Sequence, residues 1–466
     1  MAQILPNSAS FLITEDCNLA CKYCFENKRR NWQIMSLEVL YKGLEYLCAN
    51  VVKSGRQFHA MIFGGEPLLE PDLVQKLVDY GNELAKQNQV EFTASIITNA
   101  TILTPEIEAM LTGYIKRGKF SIQLSIDGIG AAHDIYRITR GGKGSFGLIE
   151  KNIPGFQRLS RHQPGSVGVH SCINKKSLPF MFESYRFFAE EWGFKSIWFM
   201  PVHEEDWDEN DIELYRSEVD KIARYILDKV RTTRDLSWIK GYSPLDKCVL
   251  PDRKPAAPCG AGKDFISITA NGDIYPCHHF YFDAGPELKI GDVFSGINDS
   301  KRRIFLEYDQ KDMNCPADCD NVSCYRCIAV NYQVNGSIIS QVRGNYCRLS
   351  KIDRETILYI RGVLKDMGLF ENKTNEPRLQ LPEGAGGYHF SDSWVKDGMY
   401  YESYNNPEKG DRILLDAPAD SIPTLPEACS GNSCRGDFDK FEVLAAGVMA
   451  LLEKMDEVLI ELRRKG

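Results

Sequence analysis

The sequence predicts an α/β fold whose first domain is a partial (β/α)6 barrel, and three observations support this prediction. Apolar runs of strand length alternate with segments of helical spacing over the first 235 residues. Such alternation favours βαβ units, which place their strands in one parallel sheet. Six such strands suit an open barrel. Candidate motifs directly follow several of these strands, and ligands of such barrels bind at the carboxyl ends of the strands.

Each predicted element rests on its own local pattern. The six strands are expected at residues 10–14, 59–63, 91–98, 120–126, 167–173 and 196–200. Helical spacing predicts helices at 37–52, 71–85, 105–116, 146–159, 178–192 and 212–230. Ser36 suits the N-cap position of the first helix, and Pro71 lies in the first turn of the second. The last of these helices closes a first domain that is predicted to span residues 1–235.

The rest of the chain divides into three further segments. Over residues 236–350 cysteines become frequent and regular periodicity fades. In the segment 351–436, a helix is expected at 352–367, and the proline-, glycine- and acid-rich stretch from residue 372 predicts a long loop or tail. In the segment 437–466 apolar residues recur every three or four positions, which predicts an amphipathic C-terminal helix. Its apolar stripe is expected to dock on the same chain or on a second copy.

The composition limits the class of partner. A formal net charge of −8 argues mildly against a general nucleic-acid binder. No apolar run reaches membrane-spanning length, and the N-terminus lacks the pattern of a signal peptide. Fifteen cysteines in a long, helix-rich chain favour metal or iron–sulfur ligation over a disulfide scaffold. We therefore expect a cytoplasmic protein that binds neither nucleic acid nor membranes.

The most informative stretch of the chain is Cys17-Asn-Leu-Ala-Cys21-Lys-Tyr-Cys24-Phe25. Its three thiols can bind three irons of a four-iron cluster, since such clusters are held by cysteine thiolates. No fourth cysteine lies nearby, so one iron would keep an open position for a ligand. Structural zinc sites need four ligands, which makes a zinc knuckle the weaker interpretation.

This stretch resembles the cluster loop of the radical S-adenosylmethionine (SAM) superfamily, in which an aromatic residue also follows the last cysteine. The resemblance implies that the open iron binds the amino and carboxylate groups of SAM. Gly64-Gly65-Glu66-Pro67 follows the second predicted strand and resembles the SAM-binding motif of that family. Glycines let the backbone approach the methionine part of SAM closely. Backbone carbonyls or the Glu66 carboxylate would then accept hydrogen bonds from its ammonium group.

Two later strand ends carry further candidates for the SAM site. Ser125 with Asp127-Gly128 resembles the S-x-D-G segment of the family, whose serine helps to hold the SAM carboxylate. Asn99 closes the third strand and is a weaker candidate for a ribose contact.

Two arginines follow these residues. Arg137 and Arg140 come after His133-Asp134, a pattern associated with the peptide-modifying branch of the family. The fork of an arginine can bind both oxygens of a carboxylate, so both side chains are candidate cofactor ligands. A solvated loop charge is the alternative for each of them.

The second cysteine-rich region resembles the SPASM domain, which carries two auxiliary four-iron clusters. The resemblance rests on a lone cysteine, a glycine separated by four residues from another cysteine, a tight group of four cysteines and a lone last cysteine. It implies two sets of ligands. The distal cluster would be held by Cys315, Cys319, Cys324 and Cys347. The proximal cluster would be held by Cys259, Cys277 and Cys327, with Cys248 as the expected fourth ligand.

The tight group departs from the family pattern. Its cysteines are separated by three, four and two residues, whereas the usual separations are two, five and three. This departure affects which cysteines of the group correspond to the ligands of the family, and it affects Cys319 most. A zinc knuckle at Cys324-x-x-Cys327 is the alternative to the two auxiliary clusters.

Four cysteines belong to no predicted cluster. Cys48 and Cys172 lie on a predicted helix and a predicted strand, where we expect buried apolar side chains. Cys429 and Cys434 lie in the predicted tail. Metal binding, a regulatory disulfide and the lack of any role all stay open for this pair.

The resemblance implies an enzyme that cleaves SAM and removes a hydrogen atom from a peptide. We expect a maturase of a ribosomally made peptide that joins a cysteine sulfur to a carbon of another residue as a thioether. An anaerobic sulfatase maturase, which makes formylglycine, is the alternative enzyme. Those maturases carry an aspartate, their general base, directly after the cysteine equivalent to Cys277, whereas His278 and His279 follow it here. His278 is therefore the candidate base, and a non-catalytic iron–sulfur electron carrier is the alternative from another class.

The expected cofactors are SAM and three four-iron clusters, and the expected partners are a precursor peptide and an electron donor such as flavodoxin or ferredoxin. Few residues precede the first strand, so we expect no winged-helix leader-binding module ahead of the barrel. The C-terminal region shows too little strand character to supply one. Leader capture would then use the groove beside the barrel, the tail or a separate leader-binding protein.

Overall fold

The computed structural model describes residues 4–28, 32–52, 57–203, 205–239, 259–284, 286–307, 327–340 and 344–369, together with the backbone of residues 389–396, 399–405 and 412–418. The chain divides into two compact units, residues 1–372 and residues 373–466.

One sheet of ten strands organises the first unit. In chain order the strands are β1 (Ser8–Thr14), β2 (Gln57–Gly64), β3 (Glu91–Thr98), β4 (Phe120–Ser125), β5 (Val167–Ile173), β6 (Ile197–Pro201), β7 (Phe265–Ile268), β8 (Asp273–Tyr275), β9 (Gly291–Asp292) and β10 (Gly296–Ile297). Their order across the sheet is β10-β9-β8-β7-β1-β2-β3-β4-β5-β6. Strands β1 to β6 are all parallel, which confirms the six predicted strands and the α/β fold class.

Helices connect the parallel strands, as the periodicity predicts, and three more follow the last strand of this sheet. They are α1 (Leu37–Val52), α2 (Pro71–Asn88), α3 (Pro105–Lys116), α4 (Ala131–Asp134), α5 (Phe146–His162), α6 (Met181–Glu190), α7 (Glu209–Thr233), α8 (Asp299–Glu307), α9 (Ile328–Asn335) and α10 (Asn345–Asp366). Local capping sets several starts: Asp208 and Asp211 form a reciprocal capping box at α7, for example. In the part of the chain that the structure describes, no helix combines the length and apolar character needed to cross a membrane.

The two faces of the barrel strands meet different surroundings. On β2, Phe58, Ala60 and Ile62 are fully buried in the hydrophobic core. The alternate residues of β2 to β6 face a cavity of about 300 Å³. Its lining includes His59, Met61, Ser95, Gln123, His170 and Trp198. The barrel therefore has an apolar core on one side of its strands and a partly polar interior on the other.

The second cysteine-rich region continues the sheet of the barrel, an arrangement that the sequence did not indicate. Strand β7 pairs in parallel with β1, with Ser8 opposite Phe265. Strands β8, β9 and β10 then add in antiparallel fashion.

The expectation of a long loop after residue 372 is wrong for three segments. The second unit contains an antiparallel sheet of β11 (His389–Lys396), β12 (Met399–Asn405) and β13 (Arg412–Pro418). Strands β11 and β12 contain several aromatic residues, which favour strands, and β13 contains a short aliphatic run. The proline, glycine and acidic residues around them dominated the composition of the whole stretch and concealed the short strands. The predicted C-terminal helix and the Cys429–Cys434 pair lie outside the described residues.

Candidate active site

The first cysteine loop begins where β1 ends, at the carboxyl edge of the parallel sheet. Cys17 and Cys21 are buried and form a small cluster with Leu19, against which Cys24 packs. The backbone fixes this loop: the Ala20 amide donates to the Ile138 carbonyl at 2.7 Å, and a second such bond follows two residues later. The sequence-predicted thiols are therefore together in one buried, well-held loop.

The donor set of this loop fits an iron–sulfur cluster. Three thiols are the ligands that such a cluster requires, and burial protects it from solvent. Among the residues that the structure describes, no three His, Cys, Asp or Glu side chains converge closely enough to hold a single metal ion. Thiolates that bind three different irons need not converge on one point.

The glycine pair after β2 supports the start of the cysteine loop. Gly64 has a positive φ of 126°, and a Cβ at this position would overlap the carbonyl oxygen of Thr14. A Cβ at Gly65 would overlap the carbonyl oxygen of Asp16. The amides of Gly65 and Glu66 donate to these same two carbonyl oxygens, at 2.9 and 2.8 Å. Only glycine lets the two backbones approach so closely.

Glu66 points into the protein. Its carboxylate accepts hydrogen bonds from the Leu68 amide at 3.0 Å, the Thr98 hydroxyl at 2.8 Å and the Asn99 amide at 2.6 Å. Burial raises the pKa of Glu66 to about 7, although these hydrogen bonds favour the charged form. Glu66 therefore ties the end of β2 to the end of β3, and the backbone of the motif faces the cysteine loop.

Asn99 contacts the cysteine loop directly. Its side-chain amide donates to Asn18 Oδ1 at 2.8 Å and to Cys17 Sγ at 3.8 Å. Its oxygen accepts from the hydroxyl of Thr101 at 2.6 Å. The residue predicted as a ribose ligand thus holds the cysteine loop against β3.

The three remaining SAM candidates lie in different environments. Ser125 is the last residue of β4 and is buried at the carboxyl end of the strand. Arg137 is buried, and its Nε lies 2.9 Å from Asp127 Oδ2. Arg140 is exposed, pairs with Asp16 and lies over the Trp32 ring at 4.6 Å.

Part of the second cysteine set also comes together. Burial and the thiols of Cys327 and Cys259 raise the pKa of Cys277, so both of these thiols lie within electrostatic reach of Cys277. Cys347 lies in the first turn of α10. The other four predicted ligands lie outside the described residues: Cys248, Cys315, Cys319 and Cys324.

Aromatic contacts join the two cysteine regions. Phe25, directly after Cys24, stacks on His279 with ring centroids 4.3 Å apart. His278 lies against Phe63, directly before the glycine pair, at 4.6 Å. In addition, the Tyr281 hydroxyl donates to Glu15, and the oxygens are 2.6 Å apart. His278, the predicted base, therefore lies between the first cysteine loop and Cys277.

Sequence reasoning missed a histidine and a tyrosine near the same edge. His203 follows β6, and its ring stacks on Tyr346 at 4.1 Å, with Nε2 3.2 Å from the tyrosine hydroxyl. Burial and the nearby His279 lower the pKa of His203 to about 4. The signal that could have revealed His203 was its position two residues after a strand end, like the other motifs.

The two cysteines that were predicted as buried apolar side chains differ in their burial and their contacts. Cys48 is buried in α1, as predicted. The prediction for Cys172 is wrong: the residue is only partly buried, and its thiol interacts with Tyr23, Asp127 and Arg137. The period of two along β5 places Cys172 on the cavity side with His170, and that alternation was readable in the sequence.

Comparison with known proteins defines the class. Residues 11–168 match the model of the Radical SAM superfamily. The cysteine-type anaerobic sulfatase-maturating enzyme of Clostridium novyi (strain NT) is 26% identical over 350 residues, which cover 68% of this chain and 86% of that enzyme. The antilisterial bacteriocin subtilosin biosynthesis protein AlbA of Bacillus subtilis (strain 168) is 27% identical, over 65% of this chain and 60% of AlbA.

A solved structure supports the fold. Native anSMEcpe with bound AdoMet and Cp18Cys peptide has a TM-score of 0.59 and 17% sequence identity, and the match covers 78% of this chain and 99% of that one. Residues 11–168 therefore form a Radical SAM domain, and the maturase name among the relatives indicates an enzyme. The relatives of the chain include a sulfatase maturase and a bacteriocin biosynthesis protein.

Proposed function

We propose that this enzyme matures a ribosomally made precursor peptide by joining a cysteine sulfur to a carbon of another residue. The observation that carries the proposal is the direct contact between the two cysteine regions. Phe25 stacks on His279, and Tyr281 bonds to Glu15, so the first cysteine loop and Cys277 belong to one site. A peptide bound at this edge of the sheet would lie near both regions at once.

The residues of the chain have defined roles in this proposal. Cys17, Cys21 and Cys24 would hold the SAM-binding cluster, and the Gly64–Gly65 backbone and Ser125 would hold SAM. The chemistry that such a cluster and SAM supply together is a radical that can remove a hydrogen atom from a peptide. The aromatic side chains around His278 would exclude water from the reacting groups.

Thioether formation removes two hydrogens from the peptide, and each of them needs an acceptor. Joining an S–H to a C–H releases one hydrogen atom, one proton and one electron. The hydrogen atom would go to the radical that bound SAM supplies, and His278 would accept the thiol proton. The electron needs an acceptor, which is the chemistry that an auxiliary cluster supplies. We propose a SPASM arrangement for that purpose, with Cys259, Cys277, Cys327 and Cys248 as one set and Cys315, Cys319, Cys324 and Cys347 as the other.

A sulfatase maturase is the second candidate function. It is favoured by the likeness to the Clostridium novyi enzyme, 86% of which is covered. The pair His278-His279 argues against this function, because a sulfatase maturase is expected to carry an aspartate directly after the cysteine equivalent to Cys277. The electron-carrier alternative is set aside because the chain is an enzyme.

One assay separates the two functions. Anaerobically purified, reduced enzyme is given SAM and either the cysteine-containing peptide encoded beside it or a peptide with a sulfatase active-site motif. We expect 5′-deoxyadenosine and the loss of two hydrogens from the first peptide, located by tandem mass spectrometry to a sulfur–carbon link. Formylglycine in the second peptide, with the first unchanged, would establish the sulfatase maturase instead.

A further inference from the structure

A buried polar cluster lies beside the first cysteine loop and is centred on Asp127, two residues after β4. The Asp127 side chain is fully buried, and its Oδ2 accepts a hydrogen bond from the Tyr23 hydroxyl. The same oxygen lies 2.9 Å from Arg137 Nε. The other oxygen, Oδ1, accepts from the Cys172 amide at 3.0 Å. One carboxylate thus joins the cysteine loop, strand β5 and the segment that follows α4.

Arg137 holds Tyr23 from a second direction. The guanidinium carbon lies 5.5 Å from the centre of the Tyr23 ring, in cation–π geometry. The positive charge also balances the buried carboxylate, which would otherwise be strongly unfavourable. Tyr23 is therefore fixed at its hydroxyl by Asp127 and at its ring face by Arg137.

The partners of Tyr23 are themselves linked by a chain of hydrogen bonds that leads from Asp127 to the backbone of Arg137. The Asp127 amide donates to His133 Nδ1 at 3.2 Å, so the His133 proton is on Nε2. That nitrogen donates to Ser145 Oγ at 2.9 Å, and Ser145 donates to the Arg137 carbonyl at 2.8 Å. Burial lowers the pKa of His133 to about 4, in agreement with a neutral ring. The ion pair between Arg137 and Asp127 connects the two ends of this chain of hydrogen bonds, so the support of Tyr23 is held at several points.

Tyr23 lies between Cys21 and Cys24, so whatever fixes Tyr23 also fixes the segment that carries these two thiols. We propose that Asp127 is a positioning residue for the N-terminal iron–sulfur site and acts through the Tyr23 hydroxyl. The inference rests on the proposed function, because it takes the cysteine loop as a cluster site. Groups that orient metal ligands from outside commonly affect metal affinity by about 10- to 100-fold.

The decisive variant is Tyr23→Phe, which removes one hydroxyl and keeps the ring over Arg137. In the full-length, reconstituted enzyme we expect the iron that responds to SAM to be lost to a chelator at least about 10-fold faster than in the wild type. We also expect a shifted midpoint potential and an altered electron paramagnetic resonance (EPR) signal for the reduced cluster. The change that SAM causes in this signal identifies the cluster with the open iron.

Tyr80→Phe is the matched control. The Tyr80 hydroxyl also donates to a carboxylate, Glu45 at 2.8 Å, but it joins α2 to α1 outside the site. Both variants lose one tyrosine–carboxylate bond, so a purely structural role would lower the melting temperature in both and leave both EPR signals unchanged. Asp127→Asn is a harsher second variant that should show the same spectral change as Tyr23→Phe.

The outcomes separate the inference from the proposed function. Unchanged iron loss, potential and EPR signal in Tyr23→Phe would overturn the inference while the wild type still cleaves SAM. Wild-type protein with no SAM-responsive cluster would overturn the proposed function and this inference together. Spectral changes in Tyr23→Phe that are absent in Tyr80→Phe would establish the positioning role, whether or not Asp127→Asn folds.

Discussion

Glu66 gives the folded state a pH dependence that follows from its burial. Its ordinary pKa is 4.5, and burial raises it to about 7 in the folded protein. Between these values the folded state binds more protons than the unfolded state. The stability that protonated Glu66 contributes is therefore present below pH 4.5 and is lost as the pH rises through about 7. The size of the effect is about 3 kcal/mol.

We predict that Glu66→Gln flattens this dependence, because glutamine does not ionise. The measurement is the melting temperature of wild type and variant across this pH range. Glu45→Gln is the control, since Glu45 lies near the surface and the hydrogen bond from Lys42 lowers its pKa. Equal slopes for Glu66→Gln and wild type would show that Glu66 does not titrate in this range.

Gly65 offers a second test at the scale of one residue. In Gly65→Ala the new Cβ would overlap the Asp16 carbonyl oxygen, so the cysteine loop must shift. We predict that the variant folds but loses most SAM cleavage and part of its iron. Gly113→Ala in α3 is the control, because a Cβ there meets nothing within 4 Å. SAM cleavage at the wild-type rate in Gly65→Ala would contradict the close approach of the two backbones.

The sequence predicted candidate SAM residues at strand ends but not the directions of their side chains. Gly64 and Ser125 lie at the ends of β2 and β4, and Gly65 follows Gly64 directly. The inward direction of the Glu66 side chain was not predictable. Two of its hydrogen-bond donors, Thr98 and Asn99, lie at the end of β3, more than thirty positions away in the chain. The bond between Tyr23 and Asp127 spans 104 positions and leaves no local pattern.

The cysteine regions make a prediction at the scale of elements. Three four-iron clusters would give about twelve irons per chain. Replacing Cys17, Cys21 and Cys24 together by alanine should abolish SAM cleavage and remove about a third of the iron. Iron analysis and deoxyadenosine quantification measure both effects. Stoichiometric zinc with about four irons in the anaerobically purified wild type would contradict two auxiliary clusters.

Cys347→Ala tests the second cysteine region, as the triple variant tests the first. Cys347 lies in the first turn of α10 and is far in sequence from the first loop. We predict that this variant loses iron from the distal set and impairs peptide modification, while SAM cleavage without peptide stays near the wild-type rate. Full iron content with normal peptide modification would mean that Cys347 is not a ligand.

The strands and helices with clear periodicity in the sequence were predicted, and the strands without it were missed. Strands β2 to β6 are buried mainly on one face and flanked by helices of clear period, so the alternation of the strands and the period of the helices both predicted the fold. Strands β7 to β10 are two to four residues long, too short for any period to show. Strands β11 to β13 were missed because the composition of the whole stretch outweighed the aromatic residues of β11 and β12 and the short aliphatic run of β13.

The division of the chain after residue 372 suggests a test at the scale of the molecule. A chain that ends at Asn372 keeps every candidate SAM and cluster residue in one compact unit. We predict that it retains the N-terminal cluster and SAM cleavage but modifies its peptide more slowly. The double variant Cys429→Ala, Cys434→Ala shows whether the tail thiols contribute. A truncated enzyme that works at the full-length rate would exclude a role of the second unit in the reaction.

The pairing of β1 with β7 has a consequence for how the protein is made in the cell. The hydroxyls of Ser10 and Ser267 meet at 2.9 Å across this pair, although 257 positions separate them in the chain. While the ribosome is still making the barrel, β1 therefore has an unpaired edge, which can template aggregation. Contacts of such long range also form slowly. A nascent or recombinant chain that stops near residue 239 would keep this edge and is expected to aggregate, whereas one that reaches residue 372 closes it.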